Sequence, residues 1–247
     1  MKVINCSPFR DEEGSIGLDD RLRGTWQFGS TWNKETKAQD RLVSQLKTQL
    51  DNKYTLVRDV SLPGLGIPIP MVLIGPTGVQ VFYASAIQGL YRAKENSWSV
   101  MDNRNRRYTP SQPNLIKRTT LMSHAIFGFL NNKGFQVEEP EPVLFFSDPN
   151  IHVDAIHPAV HILLADGASR FIENLAQNPQ ILDTIKVKSI SDTLAETKPD
   201  PEPSHQPSKL RIGTLEMHRW QWSVLAILAL LLLCMMLIFI LVIFMAT

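Results

Sequence analysis

The amino-acid sequence predicts an α/β domain joined to one C-terminal transmembrane helix, and three observations carry that expectation. Helical and strand-like patterns alternate along residues 37–177, which is the order of an α/β layer structure. The stretch KPDPEPSHQPS, residues 198–208, is too rich in proline and polar residues to bury a core, so the folded part ends before it. Beyond it, Ser223 to Met245 reads SVLAILALLLLCMMLIFILVIFM, without a charge, a proline or a glycine. A helix needs ~20 apolar residues to cross the hydrocarbon core. A helix buried in a soluble core is rarely apolar on every face for that length.

The chain of 247 residues suits one domain with appendages, and a net charge of +1 gives no global pull toward nucleic acid or acidic surfaces. Cys6 lies in a polar stretch and Cys234 in the apolar run, so no disulfide framework is expected and a reducing compartment fits. No cofactor is implied. The glycines Gly64, Gly66, Gly75 and Gly78 lack the lysine and helix start of a phosphate loop. Neither a nucleophile elbow nor a triad spacing occurs.

Taken in order, residues 1–36 read as an N-terminal extension, and MKVINCSPFRDEEG lacks the apolar core of a signal peptide. Trp26, Phe28 and Trp32 are expected to cover part of the core. A helix is predicted over Lys37–Asp51, where Leu42, Val43, Leu46 and Leu50 share one face. Thr36 with Gln39 fits a capping box that would start it just after Thr36. Tyr54–Val60 reads as a strand in which Tyr54, Leu56, Arg58 and Val60 alternate with Thr55, Val57 and Asp59. Pro68 and Pro70 would turn their missing N–H groups to one side, so an edge or a bulge is expected there. IPMVLIGPTGVQVFYAS, residues 69–85, then makes a hairpin of two uncharged strands around a Gly-Pro-Thr-Gly turn.

Past Trp98 the chain turns polar and basic through DNRNRRYTPSQPN. A helix over Leu115–Leu130 places Leu115, Thr119, Met122, Ile126 and Phe129 together, and Lys133-Gly134 ends it. PVLFFS and VHILLAD are short apolar runs, as in strands buried on both faces. Between them Asp148, His152, Asp154, His157 and His161 concentrate polar chemistry, but Pro158 interrupts any helical ligand spacing and a surface loop is expected. GASRFIENLAQNP closes the 37–177 domain as a short helix. Residues 178–222 form a polar, proline-rich linker and membrane flank, and 223–245 the span. Lys209, Arg211, His218 and Arg219 precede the span and no charge follows it, which holds the N-terminal part in the cytoplasm. Trp220 and Trp222 sit where an aromatic belt belongs. With only Ala246 and Thr247 after it, the span reads as a tail anchor.

The hairpin, SLPG before it, Trp98 after it and the proline-led helix at QPNLIKR resemble the nuclease-related domain (NERD) family. That resemblance implies a restriction-endonuclease-like three-layer domain, with a mixed central sheet flanked by helices. In the family the hairpin carries Ile-Asp-His and ends in Glu-x-Lys. Here the aspartate and histidine fall on Pro70 and Met71, and the glutamate and lysine fall on Tyr83 and Ser85. The early helical glutamate falls near Gln39 or Asp40, so Asp40 alone could stand in for it. The later glutamine falls near Ile116 or Lys117. Such a nuclease needs carboxylates to hold a divalent ion, and proline, methionine, phenol and hydroxyl are no replacement for them.

The resemblance therefore implies no catalytic or metal site, and a pseudoenzyme with a binding or scaffolding role. The alternative is an active membrane-tethered metal-dependent nuclease. The expected partners are the lipid bilayer and a protein, with nucleic acid a weaker candidate through Arg104, Arg106, Arg107, Lys117 and Arg118. The span has no Gly-x-x-x-Gly motif; Ala226 and Ala229 are its internal small pair.

Overall fold

The computed structural model describes residues 1–197 apart from 12, 13, 30, 103 and 104. Arg104, the linker 198–208, the flank through Trp222 and the span 223–245 lie outside the described residues, as does the side chain of Phe28. Among the described residues, no helix is long and apolar enough to cross a membrane.

The chain opens with strand β1 (Lys2–Asn5) and helices α1 (Leu18–Phe28) and α2 (Trp32–Gln49). Strands β2 (Thr55–Val60), β3 (Ile69–Gly75) and β4 (Gly78–Ser85) follow, then β5 (Gly89–Lys94), β6 (Ser97–Asp102) and β7 (Arg107–Pro110). Helix α3 (Leu115–Asn132) leads to β8 (Glu141–Phe146), β9 (Ile151–Ile156) and β10 (His161–Leu164). Helices α4 (Ala168–Gln177) and α5 (Thr184–Glu196) come last.

These elements form an α/β structure with two mixed sheets. The main sheet has the order β1-β2-β3-β4-β8-β10. β2, β3 and β4 run antiparallel to their neighbours in that meander, whereas β1 on β2, β8 on β4 and β10 on β8 are parallel. Successive side chains of a strand point to opposite faces, and here both faces are apolar. Met71, Leu73, Phe82 and Phe145 pack with Leu42 and Leu46 of α2 and Ile172 of α4. Val72, Val81, Leu144 and Phe146 pack on the other side with Ile116 and Ile126 of α3 and Ile190 and Leu194 of α5. The packed layer thus includes β1 and α5, and its described part reaches past Gln177 to the last helix.

Three local expectations give way. Helix α2 begins at Trp32, so Thr36 is a buried residue of its second turn and not a cap. The N-cap is Thr31, without a side-chain cap hydrogen bond, and Trp32 anchors the start by meeting Phe9 edge-on at 5.8 Å. Strand β3 is interior, and the proline is accommodated by its neighbour. Arg58 pairs with Met71 and Val60 with Ile69, while Asp59 between them takes φ 56°, opposite Pro70, where no N–H is on offer. Aspartate enters that left-handed region more readily than most residues. Trp26 is 77% exposed and covers no core.

The second sheet, β7-β6-β5-β9, also departs from expectation. Trp98 lies within β6, the polar stretch after it contributes β7, and the polar segment after Asp148 contains β9, which pairs in parallel with β5 some sixty residues earlier. Trp98 couples this sheet to the main one. It is buried and stacks on Tyr91 at 4.9 Å and on Phe146 at 5.6 Å.

The β3–β4 hairpin turns through Pro76-Thr77, with Gly75 paired to Gly78. A Cβ on Gly75 would lie 2.1 Å from the Tyr54 ring, which explains why a glycine stands there. The Pro76 carbonyl accepts from the N–H groups of Ile181 and Leu182, so the segment before α5 clasps the turn.

Candidate functional site

Pairing of Arg58 with Met71, and of Met71 with Phe82, sets the next row of the main sheet as Asp59, Pro70 and Tyr83. This row, with Ser85 beyond it, is where the hairpin resemblance would put catalytic acids and a lysine. Polar side chains gather around it in two groups.

The first lies between β2 and α2. Arg58 interrupts the otherwise apolar start of its strand, on the face that carries Leu56, and so points at α2. Its Nη2 donates to Asp40 Oδ1 at 2.8 Å and to Gln39 Oε1 at 3.1 Å. Arg10 reaches the same Asp40 oxygen at 3.0 Å, lies 3.8 Å from Asp59 and donates to the Gly14 carbonyl at 2.7 Å. Both guanidiniums are buried, with 2–3% of each side chain exposed, whereas Asp40 is 49% exposed. Burial lowers the affinity of Arg10 for its proton, and the neighbouring Arg58 adds to that effect against the pull of Asp40 and Asp59. Burial pushes the Asp59 carboxyl up despite both arginines.

The second group lies between β4, α3 and the first turn of α2. Tyr83 donates its hydroxyl to Glu35 Oε1 at 3.1 Å, and the Arg118 guanidinium stands over the Tyr83 ring at 5.1 Å. Burial pushes Glu35 above its ordinary range, opposed by the Tyr83 hydrogen bond and by Arg118. Burial and the nearby Glu35 charge together raise Tyr83, so its phenol stays protonated at neutral pH. Ser85 is buried, its carbonyl accepts from Ser147 N–H at 3.0 Å, and the Ser147 carbonyl in turn accepts from Arg41 at 2.8 Å.

A raised carboxyl makes folding favour the protonated form. Its contribution is fully present below the unfolded value of about 4.5 and is lost as pH rises through the higher folded value. Glu35→Gln keeps an oxygen for Tyr83 and removes the titration. Urea unfolding from pH 4 to 8 should therefore show the variant losing less stability with rising pH than the native chain.

Asp40 and Gly14 line two open cavities of ≈ 260 Å³ and ≈ 400 Å³. Arg21, Asn33 and Lys37 line the first, and Asn5, Ser44, Lys47 and Arg58 the second. Asp40, the carboxylate they share, already accepts from two arginines, which is a poor setting for a divalent cation wanting several hard oxygens. Among the described residues, no three His, Cys, Asp or Glu side chains gather at metal-binding distance.

The remaining polar residues do not converge. Asp154 pairs with Arg92 at 2.7 Å on the second sheet, and His161 meets Glu141 at 3.3 Å at the edge of the main one. Asp148 is engaged by Gln88 and Asn150, and His157 holds a turn at φ 45°. Arg118 is drawn inward onto Tyr83, whereas Arg106, Arg107 and Lys117 are exposed. Arg10, Arg58 and Glu35 were not singled out by sequence reasoning. A charged residue in the middle of TLVRDV was the available signal for Arg58.

Comparison with protein-family models, curated proteins and solved structures yields no match.

Proposed function

We propose that this chain is a tail-anchored membrane protein that presents a catalytically degenerate nuclease-like domain to the cytoplasm and acts by binding or scaffolding. In this reading the domain is a restriction-endonuclease-like three-layer fold of the NERD kind, without the chemistry of its ancestors. One observation carries it. The row Asp59–Pro70–Tyr83, with Ser85 beyond, has an imide, a buried phenol and a buried hydroxyl at the positions that the hairpin resemblance assigns to metal ligands and a lysine.

The charge arrangement supports the same reading. Asp59 in that row and Asp40 beside it are matched by Arg10 and Arg58, and Glu35, the carboxylate at Tyr83, accepts the phenol's hydrogen bond. A metal-dependent hydrolase would instead present them to a cation that generates hydroxide. The membrane part of the reading rests on the apolar run 223–245 and the basic residues before it.

The full chain in phospholipid vesicles, incubated with labelled single- and double-stranded DNA and RNA and with Mg²⁺ or Mn²⁺, is expected to leave every substrate intact. Metal-dependent cleavage that Asp40→Ala abolishes would establish the membrane-tethered nuclease instead. Capture of the full chain from membranes, with and without added nuclease, then separates the two kinds of partner. Partners that survive the treatment point to protein binding, and partners lost with it point to nucleic acid.

A further inference from the structure

We propose that the outward face of α1 is a membrane-docking surface, which seats Leu18, Leu22 and Trp26 in the interfacial zone of the bilayer that anchors the chain. This rests on the membrane reading above and adds to it a second point of contact.

The three residues recur every fourth position and are 79%, 71% and 77% exposed. At about 100° per residue they form a single stripe. Gly24 lies on roughly the opposite side of the helix and is buried. A Cβ there would stand 2.4 Å from the Trp32 ring, so this is the side on which α1 lies against α2. The helix therefore turns its apolar stripe away from the protein. Water-facing helices do the reverse, and a contiguous exposed apolar patch marks a surface that something covers.

Area decides against a second copy as the occupant. Two leucines and one tryptophan present on the order of 400 Å², about half of the ~800 Å² that each partner gives to a stable protein interface. A bilayer needs no shape complementarity, and its interface accepts leucine in the acyl boundary with tryptophan at the headgroups. Charge plays little part. Asp19, Asp20, Arg21 and Arg23 cancel, and Arg23 lies 3.9 Å from Asp20.

Such a stripe is too small to hold a protein on lipid unaided, but here it is tethered. In that reading the proline-rich sequence 198–222 joins the domain to the span. An anchor in the same chain makes the docking intramolecular, so weak contacts suffice.

The test uses the full chain in phosphatidylcholine vesicles, with Trp220→Phe and Trp222→Phe leaving Trp26, Trp32 and Trp98 as fluorophores. Brominated acyl chains should quench roughly a third of the emission, the share of one interfacial tryptophan among three. That loss should vanish in Trp26→Phe, and also in Leu18→Ser/Leu22→Ser, whose exposed positions leave the fold intact. Flotation with the vesicles but no Trp26-dependent quenching overturns the docking and leaves the membrane reading standing. Failure to float overturns both. Self-association in detergent that Leu18→Ser/Leu22→Ser abolishes would assign the stripe to a second copy and overturn the lipid assignment.

Discussion

Phe82→Ala is expected to cost the domain about 3–5 kcal/mol, the range for emptying a large aromatic site in a packed core. Phe82 has no exposed surface and lies on β4, which is paired on both sides, to β3 and to β8. Its ring meets Phe171 edge-on at 6.1 Å, so it joins the sheet to α4. Neighbours on two paired strands cannot collapse into the void without breaking ladder hydrogen bonds, which puts the cost toward the upper part of the range. Since domains are stable by only about 5–15 kcal/mol, the denaturation midpoint should fall steeply. Phe82→Leu should recover most of the loss. Urea unfolding followed by far-ultraviolet circular dichroism reads both, and a cost for Phe82→Ala below about 1 kcal/mol would show that the site is not core.

Asp40→Ala should also destabilise, by about 1–3 kcal/mol. The variant leaves Arg58 buried without a carboxylate and removes the nearer of the two that Arg10 touches. The half-exposure of Asp40 and the persistence of Asp59 beside Arg10 keep the cost below that of breaking a fully buried pair. Asp40→Asn, which retains the hydrogen bonds without the charge, should fall between. The informative comparison is Asp40→Leu with Arg58→Met. Removing both charges together is expected to cost less than Asp40→Ala alone, because an unpaired buried guanidinium is the expensive species. A double variant worse than the single one would locate the role of Arg58 in packing rather than in charge.

Helices were legible where an apolar stripe repeats at helical spacing. Leu42, Val43 and Leu46 fall in α2, and Leu115, Met122 and Ile126 in α3, where they are buried. The ends were less legible. The start of α2 depends on Trp32 finding Phe9 and Gly24, contacts that no local pattern around Thr36 contains. Strands β6, β7 and β9 are not legible because polar residues interrupt their apolar ones and most of their side chains are at least partly exposed. Their stability comes from pairing across long sequence separation, above all β9 on β5. The candidate site was legible only as a set of replacements in the hairpin. That Arg10 should cross to Asp40 and Asp59, or Glu35 to Tyr83, is decided by chain paths that bring together residues thirty to fifty positions apart.

The sequence by itself determined the α/β alternation and the uncharged hairpin, because both are local periodicities that any fold must satisfy. It also carries the apolar run at 223–245. The tertiary structure alone decided that Asp59 bends opposite Pro70 and that two buried arginines converge on Asp40 and Asp59. It alone decided that α1 turns Leu18, Leu22 and Trp26 outward. A helical stripe reports only that apolar side chains share a face; which way the face points depends on where the rest of the chain has already packed.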